Sequence, residues 1–167
     1  LSPLSFNQQQ ISIIDLIPDH IHVQPIICVD FSLANLTFSS NGTSIHTPND
    51  KRANQYRDLM ELICLDMFSG DLFMPIFGYG AKTFKGSSET CNIFPMSMNM
   101  SNPLIPNQQH SLKASYAKCL ETVRLDLPVK LAPMLLFLKN VAQSVRDNQI
   151  KAVQTNRSQA HFPQIFY

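Results

Sequence analysis

The stretch "IICVDFSLAN", residues 26–35, decides how the chain folds. Its first half lies within a strand predicted over residues 21–31, and it is apolar on both faces and rich in β-branched side chains. Such a run is typical of a strand in the middle of a parallel sheet. The run ends at Asp30, and a hydroxyl follows at Ser32. Ligands bind parallel sheets where the strands reach their carboxyl ends, so we expect Asp30 at the binding edge.

The pattern on either side of this stretch alternates between strands and helices. Helices are predicted over residues 53–67, 110–125 and 131–148, and further strands over 72–77 and 162–167. This order predicts an α/β fold, a mostly parallel sheet with helices on both faces. Gly78 and Gly80 follow the second strand, where we expect them to let the chain turn sharply. The early part of the third helix is apolar on most sides, which predicts deep burial.

Length, charge and cysteine usage limit the class of protein. The 167 residues suffice for one domain with a core, which we expect over residues 21–167 after a lead-in segment at 1–20. A net charge of +1 offers no strong basis for binding nucleic acid. The four cysteines show no C-x-x-C spacing, which favours free buried thiols in an intracellular, cytoplasmic protein. No motif of nucleophilic or phosphate chemistry is present, so we do not expect an enzyme.

Asp30 and Ser32 are the candidate metal ligands. A carboxylate and hydroxyls at alternate positions form an oxygen cup of the kind that Mg²⁺ binds. Ala34 stands where a second hydroxyl would complete the cup, and a methyl group cannot be a ligand. An isolated D-x-S at a strand end is equally typical of an Asx turn or a helix cap. His46 and His110 have no neighbours at ligand spacing, and we expect both at the surface.

Several motifs along the chain, in this order, resemble the von Willebrand A-type domain of the copine family. The copine pattern D-F-[ST]-x-S-N corresponds to DFSLAN at residues 30–35, S-L-H to SIH at 44–46, and F-P-x-F-G-[FY]-G-A to MPIFGYGA at 74–81. Y-x-x-C-L follows at 116–120, and L-x-G-P-T-N-x-A-P-x-[IL] at 125–135. The resemblance implies a von Willebrand A-like (Rossmann-like) domain. It also implies that this chain holds the N-terminal two-thirds of the domain, with a sheet incomplete at its C-terminus.

The resemblance also implies a metal site, from which this sequence departs. The family site resembles the metal-ion-dependent adhesion site of integrins. It takes a threonine from the G-P-T-N loop, where this chain has Val129, and a second cup hydroxyl, where it has Ala34. A further aspartate would lie beyond residue 167. We therefore expect a degenerate site with Asp30 and Ser32 as vestigial ligands and no cofactor. Mg²⁺ held weakly by these two side chains and waters remains an alternative.

The implied function is that of a non-catalytic scaffold that binds protein partners in a larger assembly without a metal ion. The candidate partner-binding residues lie in the strand-end loops: Asn35, Gly78, Tyr79, Gly80, Val129 and Lys130. Two alternatives stay open: part of a calcium-dependent phospholipid-binding copine, or the substrate-binding domain of a copine-type RING ubiquitin ligase. Membrane contact would come only through modules outside this chain, and cytoskeletal association is left open.

Overall fold

The computed structural model describes residues 16–18, 21, 23–37, 45–46, 54–83 and 87–155. The strands are β1 Ile27–Asp30, β2 Phe73–Tyr79, β3 Ala81–Lys82, β4 Phe94–Pro95, β5 Leu104–Pro106 and β6 Arg124–Leu125. The helices are α1 Ala34–Thr37, α2 Gln55–Glu61, a π-helix at Leu62–Met67, α3 Gln109–Thr122 and α4 Leu131–Thr155. The strand predicted at 162–167 and most of the predicted lead-in segment lie outside the described residues.

The sheet is mixed, so the predicted α/β class is confirmed, but the prediction of a mostly parallel sheet is wrong for the described residues. β1 pairs in parallel with β2, with Asp30 opposite Tyr79. β4 and β5 both pair antiparallel with β2, and β6 pairs antiparallel with β3. The reason is the stretch between β3 and α3. It returns as short strands directly onto β2, whereas a parallel neighbour needs a long crossover connection.

The chain divides into two compact units, residues 25–141 and residues 1–24 together with 142–167. The division predicted from the sequence remains a prediction. In the larger unit, one face of β1 and β2 and the inner sides of α2 and α3 form the core. Its buried residues are Val29, Phe31, Met60, Cys64, Met74, Ile76, Ala81, Phe94, Met96, Ile105, Leu112, Tyr116 and Cys119. In the smaller unit, Gln143 donates to Asp147 one helical turn away, at 3.0 Å.

The helix predicted over 53–67 begins as an α-helix and continues as a π-helix. Asn54 caps its start, because its side-chain oxygen accepts the Arg57 N–H at 3.1 Å. The wider π turn changes which side chains face inward. The spacing of apolar residues in the sequence predicts one buried face of Tyr56, Leu59, Met60, Ile63, Cys64 and Met67. Cys64 is fully buried, but Leu59 is 53% and Met67 43% exposed. The prediction of one continuous buried face is therefore only partly right.

α4 does not have the deep burial predicted for its first turns. Leu131, Leu135 and Leu136 are each at least half exposed. Phe137 is half-buried, and its ring packs edge-on against Phe77 with the ring centroids 5.0 Å apart. An apolar helix pattern shows that burial would be favourable, but not which neighbour provides it. Among the residues that the structure describes, no helix is both long and apolar enough to span a bilayer.

Candidate functional site

The carboxyl ends of β1 and β2 and the residue after β6 meet at one edge, as expected for Asp30. Ser32 and Asp126 form a parallel bridge there. The backbone N–H of Ser32 donates to Asp30 Oδ1 at 2.8 Å. This contact is an Asx turn, one of the two interpretations that the D-x-S pattern allows. One carboxylate oxygen of Asp30 thus already has a partner within the protein.

His46 lies in the interior, so the prediction of a surface histidine is wrong. It is 3% exposed. Its Nε2 lies 2.7 Å from the backbone oxygen of Asp30, and its Nδ1 lies 2.8 Å from the Tyr116 hydroxyl. A carbonyl oxygen only accepts, so Nε2 carries the proton, and in the neutral ring Nδ1 accepts from Tyr116. Burial lowers the pKa of His46, against the opposing influence of Asp30, and so favours this neutral form.

The imidazole of His46 is also the middle ring of an aromatic stack. The Phe31 ring lies on one side with a centroid distance of 4.8 Å, and the Tyr56 ring lies at 4.7 Å, both nearly parallel to it. The Tyr116 hydroxyl also lies 3.3 Å from the side-chain oxygen of Asn54, the cap of α2. The stack and the hydrogen bonds together join the end of β1 to α2 and α3.

Sequence reasoning missed this role of His46 because its polar partners lie 16 and 70 residues away along the chain. The only signal in the sequence was its position in the S-L-H motif. His110, by contrast, is exposed, as predicted.

Asn35, predicted to bind partners, is only 7% exposed. Its amide nitrogen donates to the backbone oxygen of Asp30 at 2.7 Å, so that oxygen has two side-chain neighbours, Asn35 and His46. The Tyr56 hydroxyl lies 3.5 Å from the Asn35 side-chain oxygen. Asn35 therefore holds the strand end in place, and a direct contact with a partner stays a prediction.

The two glycines near the end of β2 have different roles. Gly80 has a φ of +79°, in the left-handed region, as expected for a turn. Gly78 lies within β2, where a turn was predicted, and that prediction is wrong. A Cβ on Gly78 would lie 2.5 Å from the Phe94 ring and 2.8 Å from the Phe31 ring, so close packing requires the glycine. Tyr79 between them is half-buried, and burial, aided by the Asp30 carboxylate, raises its pKa to about 12.

Asp126 connects several loops on the other side of the bridge. Its Oδ2 accepts from the Thr90 hydroxyl and lies 3.3 Å from the Lys82 ammonium. Its backbone oxygen accepts from Leu33 N–H at 3.0 Å, and its own N–H donates to Gly80 O at 3.3 Å. The Thr90 hydrogen bond is the main cause of a lowered Asp126 pKa, to which the Lys82 charge contributes. No motif or periodicity in the sequence pointed to Asp126, Lys82 or Thr90.

The chain from Asp126 to the start of α4 is largely exposed. Leu127, Pro128 and Lys130 are exposed, and Val129 is half-buried. Of the residues predicted to bind partners, Tyr79, Val129 and Lys130 thus reach the surface in whole or in part.

Asp30 and Ser32 are the side-chain oxygen donors at the end of β1, and the expectation that they hold no magnesium ion stays a prediction. The Ser32 hydroxyl is buried and has no hydrogen-bond partner among the described residues. A hydroxyl in this state is free to be a metal ligand. However, Ala34 and Val129 offer no oxygen, and Asp30 Oδ1 already accepts the Ser32 N–H. Mg²⁺ requires six oxygen ligands in near-octahedral array, and two side-chain donors leave most of these to water. Nor do the described residues contain a group of three or more His, Cys, Asp or Glu suited to a metal ion.

The described residues form a mixed α/β fold with polar groups gathered at its strand ends, and its class, a von Willebrand A-like interaction module, follows from a family match. The copine family model matches residues 44–154, about two-thirds of the chain, and the chain belongs to the copine family. The resemblance seen in the motifs is thereby confirmed. Copine domains serve in protein interactions. The matched range includes His46 and Asp126 but begins after Asp30 and Ser32, so it does not cover the metal-type motif.

Proposed function

We propose that this domain binds partner proteins through its strand-end loops without a metal ion. The strand-end surface consists of the exposed parts of residues 79–82, 87–91 and 126–130. The observation that carries the proposal is the bonding of Asp126. Its carboxylate and backbone bind Thr90, Lys82, Leu33 and Gly80, so groups of the protein itself hold these loops together.

The degenerate donor set supports the same proposal. Where several loops supply ligands to one metal ion, removal of the ion frees these loops to move. Here the carboxylate of Asp30 is hydrogen-bonded to Ser32 N–H, and the backbone oxygen of Asp30 is held by Asn35 and His46. Chelation of divalent ions should therefore leave the surface unchanged. The domain would act as a non-catalytic, intracellular part of a larger assembly, with the von Willebrand A-like, Rossmann-like layout that its family implies.

The test compares partner capture by the wild-type chain in EDTA and in Mg²⁺. Captured proteins are identified by quantitative mass spectrometry, and each capture is repeated with Leu127→Ser. Leu135→Ser is the matched control, because both leucines are about half exposed. We expect the same proteins in both buffers, and a loss of captured proteins for Leu127→Ser only. Capture that requires Mg²⁺, or an equal loss for Leu135→Ser, contradicts the proposal.

Further experiments on the intact native protein separate the alternatives that the family resemblance left open, because the modules for membrane contact and for ubiquitin transfer would lie outside this chain. Ubiquitylation of the captured proteins by the native protein would favour a role in a ligase. Sedimentation of the native protein with phosphatidylserine vesicles only in the presence of Ca²⁺ would favour a phospholipid-binding copine. Binding that depends on Leu127 and not on Ca²⁺ or Mg²⁺ would favour the scaffold.

A further inference from the structure

The β3–β6 ladder places two cations side by side. Lys82 on β3 is directly opposite Arg124 on β6. Side chains directly opposite on antiparallel strands project from the same face, and like charges in that position repel each other. The ladder therefore carries an electrostatic cost unless anions lie beside it.

The protein offsets only one of these two charges within the described residues. The Asp126 carboxylate lies 3.3 Å from the Lys82 ammonium. Arg124 is exposed and forms no ion pair with the rest of the described chain, and the same is true of Lys130. Two cations on either side of Asp126 in the sequence are thus available to an external anion, in a chain whose overall net charge is only +1.

Two exposed apolar residues lie between these cations in the sequence. Leu127 is 50% exposed, and Pro128 after it is also exposed. Thr90 holds this part of the loop through Asp126 Oδ2 and lies 3.5 Å from the Leu127 backbone oxygen. We call Arg124, Leu127, Pro128 and Lys130 the basic patch.

We propose that the basic patch binds an acidic segment of a partner protein. Carboxylates of the segment pair with Arg124 and Lys130, and an apolar side chain between them covers Leu127. The planar guanidinium of Arg124 suits a carboxylate, which it can bind through two parallel hydrogen bonds. A nucleic acid fits less well, because its affinity depends on many phosphate contacts, and this patch offers two free cations. The proposal rests on the proposed function and names the chemistry of its partner.

The test uses the full chain and a short fluorescein-labelled peptide of alternating Glu and Leu, with fluorescence anisotropy as the readout. The control peptide has Gln in place of Glu. We expect saturable binding of the Glu peptide in the presence of EDTA, weakening as salt is raised. Each exposed ion pair contributes little, but the Gln peptide loses all of them at once, so we expect it to bind about five- to tenfold more weakly.

Arg124→Gln removes one cation of the basic patch, and Lys118→Gln removes an exposed cation on α3 as the matched control. We expect about a two- to fivefold loss of affinity for Arg124→Gln, a similar loss for Lys130→Gln, and none for Lys118→Gln. No binding, equal binding of the Gln peptide, or an equal loss for Lys118→Gln overturns the proposal. If the Glu peptide does not bind while protein capture still depends on Leu127, the proposal of an acidic partner is wrong, but the proposed docking function stands. If both fail, docking through this surface is wrong.

Discussion

Asp30 and Asp126 both contact Ser32, but the environments of the two aspartates differ. Around Asp30, the backbone oxygen is held by two buried side chains, His46 and Asn35, and the next residue, Phe31, is fully buried. Around Asp126, it is the carboxylate that makes the contacts, with Thr90 and Lys82, and its side chain is 23% exposed. The Asp30 side is built like a protein core, and the Asp126 side like a binding surface.

This difference separates what holds the fold from what is free to meet a partner. A buried polar group that loses its partner bears the full cost of its desolvation, whereas an exposed ion pair is replaced by water at little cost. Substitutions on the Asp30 side should therefore act on the free energy of unfolding. Substitutions on the Asp126 side should act on binding.

The largest effect is expected for His46→Ala. The change removes one of the two partners of the Tyr116 hydroxyl and of the Asp30 carbonyl, and it leaves a cavity between the rings of Phe31 and Tyr56. We expect a loss of about 3–5 kcal/mol in unfolding free energy, measured by urea denaturation. His110→Ala is the control, since His110 is exposed, and it should change stability by less than about 0.5 kcal/mol. Similar small losses for both variants would contradict the comparison.

Gly78→Ala should rank second. Its new methyl group would overlap the rings of Phe94 and Phe31, both of which are buried and have little room to move. Overpacking of this kind costs about 1–3 kcal/mol, and thermal melting will measure it. Gly70→Ala tests the same substitution in open space, because no atom lies within 4 Å of its added Cβ. A melting temperature lowered equally in both variants would mean that chain conformation, and not packing, explains the effect.

Asp126→Asn is expected to change stability less than either substitution, and in a way that depends on pH. The carboxyl pKa is held below its ordinary 3.8, mainly by the Thr90 hydrogen bond, so folding favours the charged form. The stabilisation is complete above pH 3.8 and is lost as pH falls through the lowered pKa. Urea midpoints of the two proteins should therefore differ at neutral pH and converge in acid. A difference that persists in acid would show that the charge of Asp126 is not its source.

The smallest effect is expected from divalent ions. Magnesium at a concentration equal to its Kd would raise the unfolding free energy by about 0.4 kcal/mol, and we expect less than this for the wild-type chain in millimolar Mg²⁺. Ala34→Ser combined with Val129→Thr returns two oxygen donors at the positions where the family motif has them. The melting temperature of this double variant should rise with Mg²⁺ or Mn²⁺ more than that of the wild type. A clear rise in the wild-type chain would contradict metal-independent docking.

The spacing of apolar residues in the sequence correctly predicted β1 and α3. The apolar run before Asp30 is a strand. The apolar spacing of Leu112, Tyr116, Cys119, Leu120 and Val123 predicts the inner face of α3, and its first three residues are buried. The stretch "CNIFPMSM", residues 91–98, predicts a short edge strand, and β4 lies there. The antiparallel pairing of β4 with β2, and β5 as a strand, were not predicted, because strands of two or three residues leave little periodicity. The exposure of the first turns of α4 was not predicted, because an apolar sequence does not show which part of the protein packs against the helix.

The sequence pointed to the Asp30 side of the candidate site but not to the Asp126 side. Asp30 and Ser32 stood out because a carboxylate and a hydroxyl follow a buried strand. Asp126 did not, because its contacts with Thr90 and Lys82 span 36 and 44 residues of chain and follow no spacing rule. For the same reason His46 was assigned to the surface, although its ring connects β1 to α3. Long-range polar contacts depend on the finished fold, and no short motif contains them.

The π-helix has a consequence for how the protein opens. The side-chain amide of Asn107, just before α3, donates to the carbonyls of Cys64 at 2.8 Å and Phe68 at 2.9 Å, near the end of that helix. Its backbone N–H donates to Leu72 O at 2.9 Å, at the entrance to β2. Residues 64–72 and the start of α3 thus share one residue, and we expect them to open as a single unit of local unfolding. Their amide protons should exchange with deuterium at one common rate, and Asn107→Ala should accelerate both segments together.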